Sequence, residues 1–357
     1  MTPSESAAFE APGLSVLITN VTLASRTGTE TYVRDLALGL ARAGHRPWVF
    51  SPRLGSIGAE IAAAGVPVSS DLDSFPEAPD IIHGHHNAPA LAALLRFPEA
   101  PGIFVCHDRT SGYDVPPIFP RIARYVAVDW NCRERLVEAG IPEERNSVIY
   151  NWVDLDRFRP RGPLPSRPRK ALVFSNYLGD GPVLSALRKA CKRRAIELHT
   201  LGSGVDKLTV APEQVLPEYD IVFTKARSAL EAMAVGSAVV LFGPTGLGPM
   251  VTAADLERLR PWNFGMRAIT EPVSLKGIER ELDRYDASDA ARVSDWIRSR
   301  AGFDDGLARW LRLYRAVLAN PPDGSPAEEA LAASRFLGSF SAFVWSLIDP
   351  PRPSPSA

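Results

Sequence analysis

Apolar and polar positions along this chain fall into short blocks that switch repeatedly between a strand-like and a helix-like period. LSVLITNV at 14–21 is an almost unbroken apolar run, the pattern of a strand buried on both faces of a parallel sheet. The loop ASRTGTE follows, then a helical stretch over 29–43 stopped by Gly44, then the strand PWVFS at 47–51. This β-loop-α-β opening predicts a Rossmann-like half with Gly28 at its first turn. The GxGxxG pattern is absent, so a nicotinamide fingerprint is not supported. Helices at 57–64, 88–96 and 131–139 then alternate with strands at 66–69, 80–83, 102–106, 124–128 and 148–151. Short parallel strands with helices between them describe an α/β, doubly wound sheet.

Residues 154–169, DLDRFRPRGPLPSRPR, break that rhythm. They are rich in proline and arginine with little apolar periodicity, which is the composition of a linker. The alternation restarts with ALVFSN at 171–176, a helix at 182–195 and a strand at 197–201. YDIVFTKARSALEAMAVG at 219–236 is a strand running straight into an Ala-rich helix that Gly236 can cap. Such a junction aims helix N–H groups at the crevice beyond the strand's carboxyl end, where an anion is favoured. Lys225 and Arg227 add charge there, although an ordinary βα unit with two solvated cations would read the same. VVLFGPTGLGPM at 239–250 predicts a strand and a Gly-rich loop, with Gly246 and Gly248 keeping the backbone permissive, or serving an ordinary turn. Amphipathic helices are expected at 304–318 and 327–348, the latter too interrupted by Glu, Arg and Ser to span a bilayer.

These blocks predict an N-terminal domain at 14–157, a linker at 158–169, a C-terminal domain at 170–320 and a C-terminal helix at 326–348, with 1–13 a disordered leader and 349–357 a disordered tail. The length of 357 residues agrees with two domains. A net charge of −1, from 40 basic and 41 acidic residues, gives no global field for nucleic acid and favours a small-molecule partner. Cys106, Cys132 and Cys191 are odd in number and widely spaced, which argues against a disulfide framework and for a reducing compartment. No secretory signal is visible at the N-terminus.

Histidine carries the clearest candidate chemistry. His83, His85 and His86 in IIHGHHN and His107 in IFVCHD both follow apolar runs, which places them at the carboxyl ends of strands, the ligand-binding edge of such a sheet. A metal cluster is the alternative for HGHH, but no carboxylate or cysteine stands at a recognisable ligand spacing. For any single histidine here a structural hydrogen bond is the plainer role. His107, next to Asp108, carries more weight as a functional group.

RTGTETYVRDLALGLARAGH, PDIIHGHH, IFVCHD, YVAVDWNCRERLVEAGIPEERNSVIYNWVDLDRF and SALEAMAVGSAVVL together resemble the GT-B retaining glycosyltransferases of family 4, in order from about residue 14 to 319. The resemblance implies two Rossmann-like domains facing across a cleft, the N-terminal one on the acceptor side and the C-terminal one on the nucleotide-sugar side. It implies a hexosyltransferase of the EC 2.4 class that transfers sugar with retention, with no cofactor and no metal, because basic side chains and helix N-termini neutralise the leaving diphosphate. Carried across, Gly28 matches the family's first Gly-rich loop, His107 its active-site histidine, and Glu231 the second acid of its paired-Glu motif, which holds the ribose hydroxyls. His83, His85, His86 and Asp108 would lie on the acceptor side, and Gly246 and Gly248 near the base or the sugar.

The departures are equally specific. The first acid of the pair falls on Phe223, and the basic residues of the family's first C-terminal loop are replaced by SNYLGDG, which offers Asn176 and Asp180. Lys225 and Arg227 stand where they could take over diphosphate neutralisation, with Ser228 completing the cradle. The stretch between 201 and 220 is short for a full βα unit. A catalytically retired GT-B module acting as a binding or scaffolding subunit is therefore the competing reading. A third reading, a nucleotide-sugar epimerase of the same fold, is disfavoured because the sequence shows no added acid/base pair facing the first Gly loop. The expected partners are a nucleotide-diphosphate sugar and a glycan, lipid-linked or small-molecule acceptor. The C-terminal helix is expected to pack across the domain junction or against a second subunit as a homodimer, with docking onto a membrane face as the alternative; the expected place is the cytoplasm, with peripheral contact at the inner membrane face left open.

Overall fold

The computed structural model describes residues 13–176, 178–202, 204, 209, 211–243 and 246–348. The expected tail, and all of the expected leader but Gly13, lie outside the described residues.

The first half alternates as its apolar blocks dictate. Its elements are β1 (Ser15–Thr19), α1 (Gly28–Arg42), β2 (Arg46–Phe50), α2 (Ser56–Ala63), β3 (Val68–Ser69), β4 (Ile81–His85), α3 (Asn87–Arg96), β5 (Gly102–Cys106), β6 (Ile122–Ala127), α4 (Trp130–Glu138) and β7 (Asn146–Val148). They form a seven-stranded sheet in the order β3-β2-β1-β4-β5-β6-β7. The β1–β2, β1–β4, β2–β3 and β4–β5 pairs are parallel. Strand order reverses between β1 and β4, the switch point at which the carboxyl ends of such strands open a crevice. Val16, Leu17 and Ile18 are wholly buried, and α1 lays Tyr32, Val33, Leu36, Ala37 and Leu40 against the sheet at helical spacing.

The second half holds β8 (Lys170–Phe174), α5 (Pro182–Arg193), β9 (Glu197–Leu201), α6 (Pro212–Val215), β10 (Ile221–Thr224), α7 (Ala226–Val235), β11 (Ala238–Gly243), β12 (Gly246–Met250), α8 (Leu256–Leu259), α9 (Leu275–Leu282), α10 (Ala287–Arg300), α11 (Phe303–Ala319) and α12 (Pro326–Ile348). Its sheet runs β12-β11-β10-β8-β9. The period-two alternation of β10 sends Ile221 and Phe223 into one apolar cluster and Val222 into the other, so the strand is buried on both faces. Gly236 caps α7 in the left-handed conformation, φ 96°, as its position predicts.

Contacts divide the chain into two compact units, Met1–Val126 with Leu136–Ser147 and Leu311–Ala357, and Ala127–Arg135 with Val148–Trp310. This division differs from the sequence boundaries in several places, beginning with 127–135 and 148–157, which were expected in the N-terminal domain and belong to the second unit. The supposed linker at 158–169 is part of the second unit's packing: Phe158 is buried, Arg161 pairs with Asp220 at 3.0 Å, and the Tyr285 hydroxyl donates to the Pro165 carbonyl at 2.8 Å. Its arginines make directional bonds that composition does not reveal. The chain beyond 310 returns to the first unit, where the buried Arg121 guanidinium bonds Glu329 of α12 and the carbonyls of Phe97 and Ala100.

Gly246 and Gly248 also depart from expectation. They lie in β12, paired antiparallel to β11, and not in a loop. A Cβ on Gly246 would meet the Ile269 side chain at 2.5 Å, and one on Gly248 the Ala268 carbonyl oxygen at 2.5 Å. Both glycines serve close backbone packing.

Candidate functional site

The first unit gathers the histidines. In β4 the sequence His83-Gly84-His85 puts both imidazoles on one face and the glycine on the other. A Cβ on Gly84 would come within 2.6 Å of Ala90 Cβ in α3, so the small residue is what lets that helix close on the strand. On the imidazole face, His83 Nδ1 lies 2.6 Å from the Tyr314 hydroxyl of α11, and His85 Nδ1 lies 2.7 Å from His107 Nε2. The rings of His83 and His85 are 4.6 Å apart, and Tyr32 of α1 sets its ring edge-on to both His85 and His107, at 5.4 and 4.8 Å.

Burial decides the charge of these groups. His83 and His85 have no exposed surface, and His86 has 8 %. Removal from water disfavours the imidazolium, pushing His83 down to about 3 and His86 down to about 4. His85 falls well below 6.5 through burial first and then through its neighbours His83, His107 and His86. Tyr314, wholly buried, is raised well above 10 by the same desolvation. His83, His85, His86 and Tyr314 are therefore neutral at neutral pH.

The structure separates the histidines that the sequence placed together on the acceptor side. His83 and His85 are enclosed and cannot meet an acceptor directly, so their role is internal. His86 caps α3 with φ 60° and accepts the Val21 N–H through Nδ1 at 3.3 Å. Asp108, also expected on the acceptor side, forms a local turn by accepting from Thr110 N at 2.6 Å, Thr110 Oγ1 at 2.8 Å and Ser111 N at 2.9 Å. His107 alone of the four histidines keeps partial exposure, just past the end of β5. Its backbone N–H donates to Asp114 Oδ1 at 2.7 Å, and Asp114 is itself buried. Gly28 starts α1 at an exposed position, and a Cβ added there would meet no atom within 4 Å.

The second unit holds the βα junction. Lys225 is the N-cap of α7, partly exposed, with Nζ 3.1 Å from Met266 Sδ. Ala226 takes φ 53°, and its N–H donates to the Phe264 carbonyl at 2.9 Å. One of the helix N–H groups expected to face an anion is therefore used within the protein. Asn263 and Phe264 opposite are also left-handed, φ 51° and 54°, and buried Arg260 holds that turn through Asn263 Oδ1 at 2.9 Å. Burial lowers the Arg260 guanidinium to about 10, which leaves it charged at neutral pH. Arg227 Nε lies 3.1 Å from Glu231 Oε1, one helical turn on, and both side chains are about nine-tenths buried. The two residues expected to hold the diphosphate and the ribose thus pair with each other. Ser228 and Asn176 are partly exposed, one in the first turn of α7 and one just beyond β8. Phe223 is fully enclosed with its ring 6.2 Å from that of Phe242, so the residue standing in for an acid is a core residue.

Tyr32, Asp114 and Tyr314 were not singled out by sequence, because each comes from an element far along the chain from the histidines or from an irregular loop. Among the described residues no group of three or more His, Cys, Asp or Glu is arranged to hold a metal ion.

Residues 64–157 match the sequence model described as Glycosyltransferase Family 4. A glycosyltransferase from Rickettsia africae superposes with a TM-score of 0.64 at 17 % identity, covering 87 % of this chain and 100 % of that one. The chain has the GT-B glycosyltransferase fold. Anabaena HepE, crystallised with UDP and glucose, gives 0.61 at 15 % identity over 85 % of this chain and 100 % of its own. Sucrose-phosphate synthase of Thermosynechococcus elongatus gives 0.53 at 12 % identity, over 85 % and 99 %. No curated protein sequence matches. The Family 4 match spans β4 and β5 and so takes in the whole histidine group, whereas the GT-B junction at α7 lies outside it.

Proposed function

We propose that this chain is a retaining, metal-independent hexosyltransferase that moves a sugar from a nucleoside-diphosphate donor to an acceptor hydroxyl, in glycan, glycolipid or polysaccharide synthesis. The observation that carries the reading is His107: a partly exposed imidazole past the end of β5, two strands from the switch point, inside the segment that matches Family 4. HepE, which shares the fold, was crystallised with UDP-glucose as well as UDP, which supports a sugar nucleotide as the ligand class.

In the proposed step the bond from the sugar C1 to the diphosphate oxygen breaks with oxocarbenium character. The acceptor oxygen forms its bond to C1 on the same face, and its proton passes to an oxygen of the departing diphosphate. Lys225 supplies positive charge for the leaving group from the N-cap of α7, and Arg227 reinforces it from within its pair with Glu231. His107 hydrogen-bonds the donor sugar. The work is placed in the cytoplasm, with peripheral contact at the inner membrane face or a homodimer through α12 as accompanying expectations. Among the described residues no helix is long and apolar enough to cross a membrane.

The test is turnover of UDP-, GDP-, dTDP- and ADP-sugars with simple glycan and lipid-like acceptors, read as nucleoside diphosphate released and as the anomeric configuration of the product by NMR. One sugar nucleotide should be consumed and its anomeric configuration kept. An inverted product would rule out the retaining mechanism, and no release from any donor would remove the enzyme reading.

A further inference from the structure

The histidine group contains more information than the identity of one reactive residue, because the hydrogen bond between two of its rings restricts where their protons sit. We propose that His85 is a positioning residue that fixes the tautomer of His107: its Nδ1–H donates to His107 Nε2, so that His107 carries its own proton on Nδ1 and acts on the donor sugar as a hydrogen-bond donor through that atom. The consequence for catalysis rests on the glycosyltransferase reading above. The tautomer itself does not.

The first support is geometric. The 2.7 Å separation between His85 Nδ1 and His107 Nε2 requires one proton between them, and only one. Two arrangements satisfy this. In the first, His85 has its proton on Nδ1 and donates, and its Nε2 is a bare lone pair. In the second, His107 donates from Nε2, and the single proton of a neutral His85 must sit on its Nε2.

The surroundings of His85 Nε2 separate the two. That atom is buried and has no hydrogen-bond partner among the described residues. A proton there would be a buried donor without an acceptor, whereas a lone pair left without a donor is tolerated more easily. The second arrangement therefore carries a penalty that the first avoids. A doubly protonated His85, which could donate from both nitrogens, is excluded by its environment. The ring has no exposed surface, and the titratable groups recorded against it among the described residues are His83 of β4, His86 at the start of α3, His107 past β5 and Tyr32 of α1, none of them an anion.

The second support is that both rings are held. Thr19 Oγ1 donates to the His85 carbonyl at 3.2 Å, and Tyr32 packs edge-on against both imidazoles. The His107 backbone is tied to Asp114. The backbone bonds fix where each ring is attached, and it is the edge-on packing of Tyr32, together with the bond between the two imidazoles, that opposes a flip exchanging their nitrogens. A further consequence follows for the charge of His107. A second proton on it would have to occupy Nε2 and donate to His85, which would force the His85 proton onto the enclosed Nε2. With Nε2 turned to His85, His107 is suited to donating a hydrogen bond to a sugar hydroxyl through Nδ1 and unsuited to serving as a base through Nε2.

The experiment is a long-range 1H–15N correlation spectrum of the full-length protein labelled at histidine nitrogens, recorded without any nucleotide so that it stands whatever the outcome of the turnover assays. His107 is assigned by the signals lost in His107→Gln. The expected spectrum has His107 protonated on Nδ1 and His85 protonated on Nδ1. A His107 protonated on Nε2 overturns the proposal.

Two variants extend the test to activity. The side-chain nitrogen of asparagine stands near the position of a histidine Nδ1, so His85→Asn retains the donor and should retain the His107 tautomer. His85→Phe removes the donor and should release the tautomer, with kcat for the donor falling on the order of tenfold or more and KM little changed. His85→Phe with unaltered kcat, or His85→Asn no better than His85→Phe, overturns the positioning role. If His85→Phe fails to fold, the spectrum of the parent and the behaviour of His85→Asn still decide it.

Discussion

At the scale of single residues, the account rests on which polar groups are enclosed and which reach the surface. His107→Ala should lower kcat by about 100- to 1000-fold, the loss typical of one preorganised donor at a reacting centre, with the melting temperature little changed because the ring is partly exposed. Donor turnover measured beside a melting curve separates the two effects, and an unchanged kcat would remove His107 from the site. The enclosed imidazoles make a different prediction. Their folded-state pKa values lie below the unfolded value of 6.5, near 3 for His83 and near 4 for His86, so the unfolded chain binds more protons as pH falls. Their contribution to stability is complete above 6.5 and is lost progressively from there down to about 4 and then 3, at about 1.4 kcal/mol per pH unit for each imidazole. Denaturant midpoints at pH 7.5, 6.0 and 5.0 should decline on that slope. A flat profile over the interval would mean that these rings are hydrated or can take up a proton where they sit. Arg227→Ala should cost about 3 kcal/mol by leaving the Glu231 carboxylate buried without its ion pair, and Arg227→Met/Glu231→Leu should recover most of that. Chemical denaturation of the three proteins checks this, and equal stability of the single and double variants would show that the pair is not what holds α7.

At the scale of elements, strands buried on both faces and helices with one apolar stripe are legible in sequence because burial imposes their period. β5 coincides with its apolar run, β9 with its expected bounds, and α1, α4 and α5 differ from expectation by only a residue or two at their ends. What escaped is what period does not encode. β12 reads as a loop because its glycines are signals of turns, yet they are required where Ile269 and Ala268 approach the strand. The 154–169 stretch reads as a linker because proline and arginine carry no apolar period, yet Arg161, Asp220 and Phe158 fasten it to the second unit. The histidines were visible as a motif at the carboxyl ends of strands; the shared face of His83 and His85 and the partners Tyr32, Tyr314 and Asp114 were not read, since tertiary folding alone brings the partners there. The fit of α3 on β4 gives the prediction at this scale. Gly84→Ala should destabilise the protein by about 1–3 kcal/mol, because the new methyl would overlap Ala90. Gly84→Ala with Ala90→Gly should regain part of it. A Gly84→Ala protein as stable as the parent would show that the strand and helix can part without loss.

At the scale of the whole molecule, the fold and the function have different sources of support. The GT-B fold follows from two parallel-type sheets, their helices and the solved structures they match, and the Family 4 match covers the histidine-bearing strands. The junction at α7, which the sequence made the anion site, has its first N–H and its Arg227 and Glu231 engaged within the protein, leaving Lys225 as the more accessible cation. The proposed function requires this fold to bind the diphosphate of a sugar nucleotide. A ligand that binds only the folded state raises its melting temperature, by an amount set by its concentration relative to Kd. The most direct measurement is therefore a thermal-shift titration of the parent and of Lys225→Ala with UDP, GDP, dTDP and ADP. The account predicts a concentration-dependent rise with one of the four in the parent and a smaller rise in Lys225→Ala at the same concentrations. No shift with any of them would contradict it and would leave a GT-B scaffold without a donor site.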